Sequence, residues 1–225
     1  TDPATNPTGE YEFKDILDLG AVFSLDLKRH IFSEGYYPND LFDSRTALID
    51  TWDDFDGSEA NNVNAELLVA VTKDPPAGAN YADSDFNNKT FNTFANGIFE
   101  GRGFKFKVKL SSSDSAQNIQ IKELGYTATF QRRQEQSATA IASGSAIKNI
   151  TFDKPFFTGA TGLIVTPNSI KPSIGITATD NITSGDYFEV TNISGTGFSV
   201  HFKDSSNASI NRNFNFTAVG FGKGA

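Results

Sequence analysis

Between Phe104 and Leu110 the chain alternates without a break: Phe104, Phe106, Val108 and Leu110 are apolar, and Lys105, Lys107 and Lys109 stand between them. A helix would spread these residues around its surface, whereas a strand sends successive side chains to opposite faces. The segment therefore reads as a half-buried antiparallel strand with its lysines on a polar face. One buried face requires neighbouring strands and a second layer to cover it.

The remaining sequence supplies them. Tyr126, Ala128 and Phe130 alternate with Thr127 and Thr129, and strand-sized apolar bursts run through Ile16–Leu19 and Val22–Leu27, with Gly20 between them. Leu67–Val71 ends at Asp74-Pro75-Pro76, a sequence that neither a helix nor a central strand passes through. Further on come Ile150/Phe152, Leu163-Ile164-Val165, Ile174/Ile176, Phe188/Val190, Phe198/Val200/Phe202 and Phe214/Phe216, each gap marked by Gly, Asn, Asp, Ser or Pro. Short strands with turn residues at such spacing indicate a sandwich or barrel. The core must be built mainly on phenylalanine, because 21 Phe stand against 1 Trp, no Met and no Cys.

Charge divides the chain. Residues 1–136 hold 13 Lys and Arg against 22 Asp and Glu, a net −9, while residues 137–225 hold 6 against 5, a net +1. The expected fold is all-β, with two consecutive antiparallel β-sandwich domains: residues 1–9 as an arm, 10–132 as a jelly-roll-like sandwich, 133–144 as a linker, and 145–225 as a small lectin-like sandwich.

A total charge of −8 argues against nucleic acid as a partner, since phosphate binding needs clustered lysine and arginine. Without cysteine there is no disulfide framework and no thiolate metal site. No run approaches the roughly 20 apolar residues of a membrane-spanning helix, so membrane insertion is not expected. The first residue is Thr1 rather than Met, and the chain is read as a piece of a longer protein.

Two passages carry a resemblance. Asn96–Leu124, with Gly97-Ile98-Phe99-Glu100-Gly101-Arg102-Gly103 and Ile119-Gln120-Ile121-Lys122-Glu123-Leu124, resembles the closing half of a jelly-roll module of phage tail-tip and host-specificity (tail fibre) proteins. Asp18-Leu19-Gly20 and Trp52-Asp53-Asp54-Phe55 fit the opening half of such a discoidin-like sandwich. Ile150–Gly222, notably Gly185-Asp186-Tyr187-Phe188-Glu189-Val190 and Thr196-Gly197-Phe198-Ser199-Val200-His201-Phe202, is similar to a small H-type-lectin-like sandwich. The resemblance implies a distal tail component of a bacterial virus, homotrimeric, located in the virion tail and outside cells. Its partners would be other phage tail proteins and a host surface glycan or receptor. It carries over no catalytic residue, metal ligand or cofactor.

The residues themselves offer few centres of chemistry. Asp53, Asp54 and Asp56 form an acidic loop that invites a calcium reading, because hard cations gather several oxygens from one loop. They do not fit an EF-hand: with Asp54, Asp56 and Gly57 at the third, fifth and sixth positions, the first is Trp52 and the twelfth Val63. A solvated acidic loop is the simpler reading. The same aspartates do not make a glycosidase pair unless they oppose one another across a cleft. His30 and His201, the only histidines, fall in different expected domains and so do not assemble into a triad. No strand–GxGxxG–helix unit is present. The chain is accordingly read as a non-enzyme without a cofactor.

Aromatic residues at a surface are the natural contacts for sugars, because a ring offers an apolar face to the C–H side of a pyranose. The candidates are Tyr36, Tyr37, Tyr81 and Tyr187, each with the alternative of a half-buried structural tyrosine, together with His201 on the polar side of the Phe198/Val200/Phe202 strand. The functional expectation is host-surface attachment through carbohydrate or surface-protein recognition. Its alternatives are a purely structural tail protein, a non-viral carbohydrate-binding module and a polysaccharide depolymerase.

Overall fold

The computed structural model describes residues 8–37, 48–51, 60–160 and 170–224. Among them the protein is all-β, with antiparallel strands in three sheets and helical backbone confined to the short 3-10 turns Ile49–Thr51 and Asp83–Phe86. Asp53, Asp54 and Asp56, Trp52 and the Leu163-Ile164-Val165 burst lie outside the described residues.

Seven strands form the first sheet: β1 (Thr8–Glu12), β2 (Leu17–Tyr36), β3 (Val63–Thr72), β4 (Asn92–Thr93), β5 (Gly97–Ser112), β6 (Asn118–Phe130) and, from the far end of the chain, β14 (Lys223–Gly224). The two longest strands each change partners along their length. β2 pairs with β5 as far as Leu27 and with β6 from Leu25 to Tyr36. β5 pairs with β2 over Gly97–Phe104 and with β1 over Lys107–Ser111, while β3 follows its other edge. The sheet thereby curls over its own core of Leu17, Leu25, Leu27, Leu67, Phe104 and Phe106. Phe106 of β5 stacks on Tyr126 of β6 across that core, with ring centroids 4.3 Å apart.

β2 departs from the sequence expectation of two separate strands. It is continuous, and the interruption at Gly20 is a bulge: Asp18 pairs with Gly103 but Phe23 pairs with Gly101, so β2 carries three extra residues there. Gly20 takes a left-handed φ of 79°, which glycine adopts without steric cost, and donates its N–H to Asp18 Oδ1 at 2.8 Å. Arg102 closes the bulge through Nε to the same carboxylate at 3.0 Å.

The lysine row of β5 also differs from its expectation as a plain solvent face. Lys105 is only 5% exposed, because β1 and the Asp83–Phe86 turn cover it. Its ammonium lies 2.6 Å from Glu12 and 3.0 Å from Asp83. Lys107 pairs with Glu10 at 3.1 Å and sits over the Phe91 ring, whereas Lys109 is exposed.

The second unit is a sandwich of two small sheets. One holds β7 (Arg132–Gln136), β8 (Ile141–Ala142), β10 (Ser173–Ala178) and β13 (Asn213–Phe221); the other holds β9 (Lys148–Thr151), β11 (Tyr187–Thr191) and β12 (Gly197–Lys203). Phenylalanines from the facing strands β12 and β13 meet between them: Phe198 contacts Phe216 and Phe202 contacts Phe214, at 5.4 and 5.5 Å. Arg132–Gln136 falls in the polar stretch read as a connection, yet it is a strand paired with β13. Its half-buried residues are an Arg133–Glu135 ion pair at 2.9 Å, with the Arg133 guanidinium 3.8 Å above Phe156, so no apolar alternation marks it.

The two units share a seam. Phe157 belongs to the first core, where it meets Phe23 and Phe130, and its N–H donates to the Phe221 carbonyl. Gly222 then donates to the Gln131 carbonyl, and β14 pairs with Phe23 and Ser24 of β2.

Candidate functional site

The outer face of the three-stranded sheet gathers polar side chains that are far apart in sequence. Along β12, Phe198, Val200 and Phe202 enter the core, so Ser199, His201 and Lys203 lie on the other face, where His201 and Lys203 are half-buried and Ser199 is covered. β11 has the same period: Val190 packs against the core, and Tyr187, Glu189 and Thr191 lie on the opposite face. Pairing places Tyr187 opposite Lys203, Glu189 opposite His201, and Thr191 opposite Ser199, which in turn faces Asn149 of β9.

Tyr187, Glu189, Ser199, His201 and Lys203 are each held by a hydrogen bond. Glu189 Oε2 accepts from Lys203 Nζ at 2.8 Å, and that bond keeps the ammonium above the ordinary lysine range despite the opposing effect of desolvation. His201 Nε2 is hydrogen-bonded to Ser209 Oγ at 2.8 Å. Ser199 donates to Asn149 Oδ1 at 2.8 Å and accepts from Asn192 Nδ2 at 3.2 Å, a hydrogen-bonded row that spans the sheet.

The Tyr187 hydroxyl donates to Asn207 Oδ1 at 2.5 Å, so its 40%-exposed ring is fixed against the sheet. Asn207 itself sits in a tight turn with a left-handed φ of 66°. Asp204 builds that turn, with Oδ1 accepting the N–H groups of Ser206 and Ala208 at 2.8 and 2.9 Å. At the entry to β11, Asp186 is bound by Arg212 at 2.6 Å, which holds its carboxyl below the usual aspartate range.

Of the residues singled out in the sequence, this face brings together Tyr187 and His201 only. Tyr36 is exposed at the end of β2, opposite Asn118. Its neighbour Tyr37 accepts a hydrogen bond from Nε2 of the buried Gln117 at 2.6 Å, which makes it an anchor for that amide. Tyr81 lies towards the other end of β2: its ring covers Gly103 and touches Phe86, and its hydroxyl donates to the Asp74 carbonyl. Desolvation, with Asp18 second, pushes its phenol up to about 12, the behaviour of a structural tyrosine.

Glu189, Lys203, Asn207 and Ser209 were missed in the sequence. The period of β11 and β12 could have found the first two, since it sets them on the face of Tyr187 and His201. Asn207 sits in the turn after β12 and Ser209 follows it, and no alternation shows the direction of that turn.

Among the described residues no group of three or more histidine or acidic side chains could hold a metal ion, and no helix is long and apolar enough to cross a membrane. No family model, curated protein or solved structure matches the chain.

Proposed function

We propose that this protein is a non-catalytic attachment module that binds carbohydrate on the outer face of its second unit. The observation that carries the reading is the fixed set Tyr187, Glu189, His201 and Lys203 on adjacent strands. A ring partly open to solvent stands beside an ion pair and an imidazole, all oriented before any ligand arrives. Such a surface offers an apolar face to sugar C–H groups and both donors and acceptors to hydroxyls. It is shallow, so each site binds modestly and useful strength comes from several copies acting together. The resemblance to phage tail-tip and tail-fibre proteins supplies the setting in this proposal: a trimeric virion part that attaches to the host cell.

The test is binding of the purified chain to a glycan panel, wild type against Tyr187→Ala and His201→Ala. Binding that falls in both variants supports the reading; binding that is absent, or indifferent to both, removes it. Release of reducing ends from a bound polysaccharide would instead favour a depolymerase. Light scattering tests the assembly separately, since a stable trimer supports a tail part and a monomer at all concentrations does not.

A further inference from the structure

We infer that the first unit carries a second carbohydrate-contact face, built by Phe32, His30 and Thr127 around an opening at Gly125, with neutral hydroxyl-rich sugars as its ligands. It shares no residue with the face on the second unit.

The outward positions of β2 beyond Leu27 are Lys28, His30 and Phe32, while Ile31 packs towards the core. Phe32 interrupts a row that is otherwise polar. It leaves 53% of its surface in water, four residues before the end of the longest strand. Across the pairing with β6, Lys28 faces Thr127, His30 faces Gly125 and Phe32 faces Glu123.

Gly125 is the second observation. Its φ is not left-handed, and among the described residues a Cβ built there would meet nothing within 4 Å. Neither backbone strain nor crowding therefore calls for glycine, which weakens a strand interior and often marks close approach of a ligand. Its effect here is a bare patch of backbone opposite His30 and one diagonal position from Phe32.

Polar groups rim that patch. His30 Nε2 is hydrogen-bonded to Thr127 Oγ1 at 2.7 Å, and His30 Nδ1 lies 3.9 Å from Glu123 Oε1. A bulge follows at once, because Phe32 pairs with Glu123 but Ser33 pairs with Ile121. Bulges re-aim side chains and are common beside functional sites. A pyranose lying over the opening would set its C–H face on Phe32 and its hydroxyls against the imidazole, the threonine and the carboxylate. The exposed Lys28, opposite Thr127, and Glu123, opposite Phe32, bring opposite charges to this rim, which gives an acidic sugar no net attraction.

The experiment measures binding of the full chain to immobilised hexose- and N-acetylhexosamine-terminated glycans and to sialylated counterparts. The variants are Gly125→Val, Phe32→Ser and Tyr187→Ala, with each of the first two also combined with Tyr187→Ala. Valine favours strands, so Gly125→Val should melt no lower than wild type while filling the opening. The expected result is that Tyr187→Ala weakens neutral-glycan binding without abolishing it and that adding either change weakens the remainder about tenfold or more, the loss of one stacked contact.

If Tyr187→Ala alone abolishes binding, this face is overturned and the second-unit face stands. Gly125→Val and Phe32→Ser leaving residual binding unchanged overturns it too, as does a preference for sialylated glycans. Loss on Gly125→Val with no effect of Tyr187→Ala upholds this face and removes the other.

Discussion

Phe157 stacks on Phe130 with ring centroids 3.9 Å apart and planes inclined by 13°. Phe130 ends β6, whereas Phe157 lies between β9 and β10, strands of the second unit, and Phe23 meets both edge-on, at 6.2 and 5.9 Å. Phe157 is 2% exposed, so the joint between the units is a piece of core.

Phe157→Ala should therefore destabilise the whole chain by about 3–5 kcal/mol, the usual range for truncating a buried phenylalanine. Urea unfolding followed by circular dichroism should show one transition for wild type and an earlier one, resolved into two steps, for the variant. An unchanged midpoint would mean that the seam is not an energetic link. Gly222→Ala should act in the same direction, since its φ is 95° and a Cβ would lie 2.7 Å from Phe23 Cε1.

The Lys105 cluster makes a different prediction. Burial opposes its charge, but the hydrogen bonds it donates to Glu12 and Asp83 outweigh burial and hold the ammonium above the ordinary lysine value. Removing both carboxylates in Glu12→Ala/Asp83→Ala leaves a buried charge unpaired and should cost about 2 kcal/mol; because both are well exposed, this is below the range for fully buried pairs. Lys105→Met removes the charge as well and should lose less. Denaturant midpoints measured side by side decide the order of the two.

Alkaline pH should unfold the protein before it affects isolated strands. Desolvation pushes the phenols of both Tyr81 and Tyr126 up to about 12. Their folded values exceed the unfolded value near 10, so the stability they contribute is complete below pH ~10 and is lost as pH rises towards ~12. Tyrosinate absorbance and circular dichroism should change together over that window. Tyr81→Phe should make the loss shallower.

Tyr187 and Asn207 separate ring from hydroxyl at the second-unit face. Tyr187→Ala should weaken glycan binding by about tenfold, or ~1.4 kcal/mol. Tyr187→Phe keeps the ring but frees it from Asn207, and should cost about half as much in free energy. Asn207→Ala should match Tyr187→Phe in binding measured by calorimetry, because both remove the same 2.5 Å hydrogen bond. A larger loss for Asn207→Ala would show that the asparagine touches the ligand directly.

The alternation in the sequence was sufficient to read an all-β protein, to put Phe104, Phe106 and Val108 in a core, and to set His201 on the outer side of its strand. Those properties depend on neighbours one or two residues away, and period two records them directly. What period two does not record is which strand lies alongside. Lys105 reads as solvent-facing until β1 and the Asp83 turn cover it, and Arg132–Gln136 reads as a connection because its half-buried side chains are an ion pair. Gly20 reads as a break, although the chain continues through it as a bulge. Tyr187 and His201 are 14 positions apart in sequence, and only the register of β11 on β12 makes them part of one surface. Phe157 reads as one more apolar residue of the second half; tertiary packing alone assigned it to the first core, where Phe23 and Phe130 leave room for a third ring.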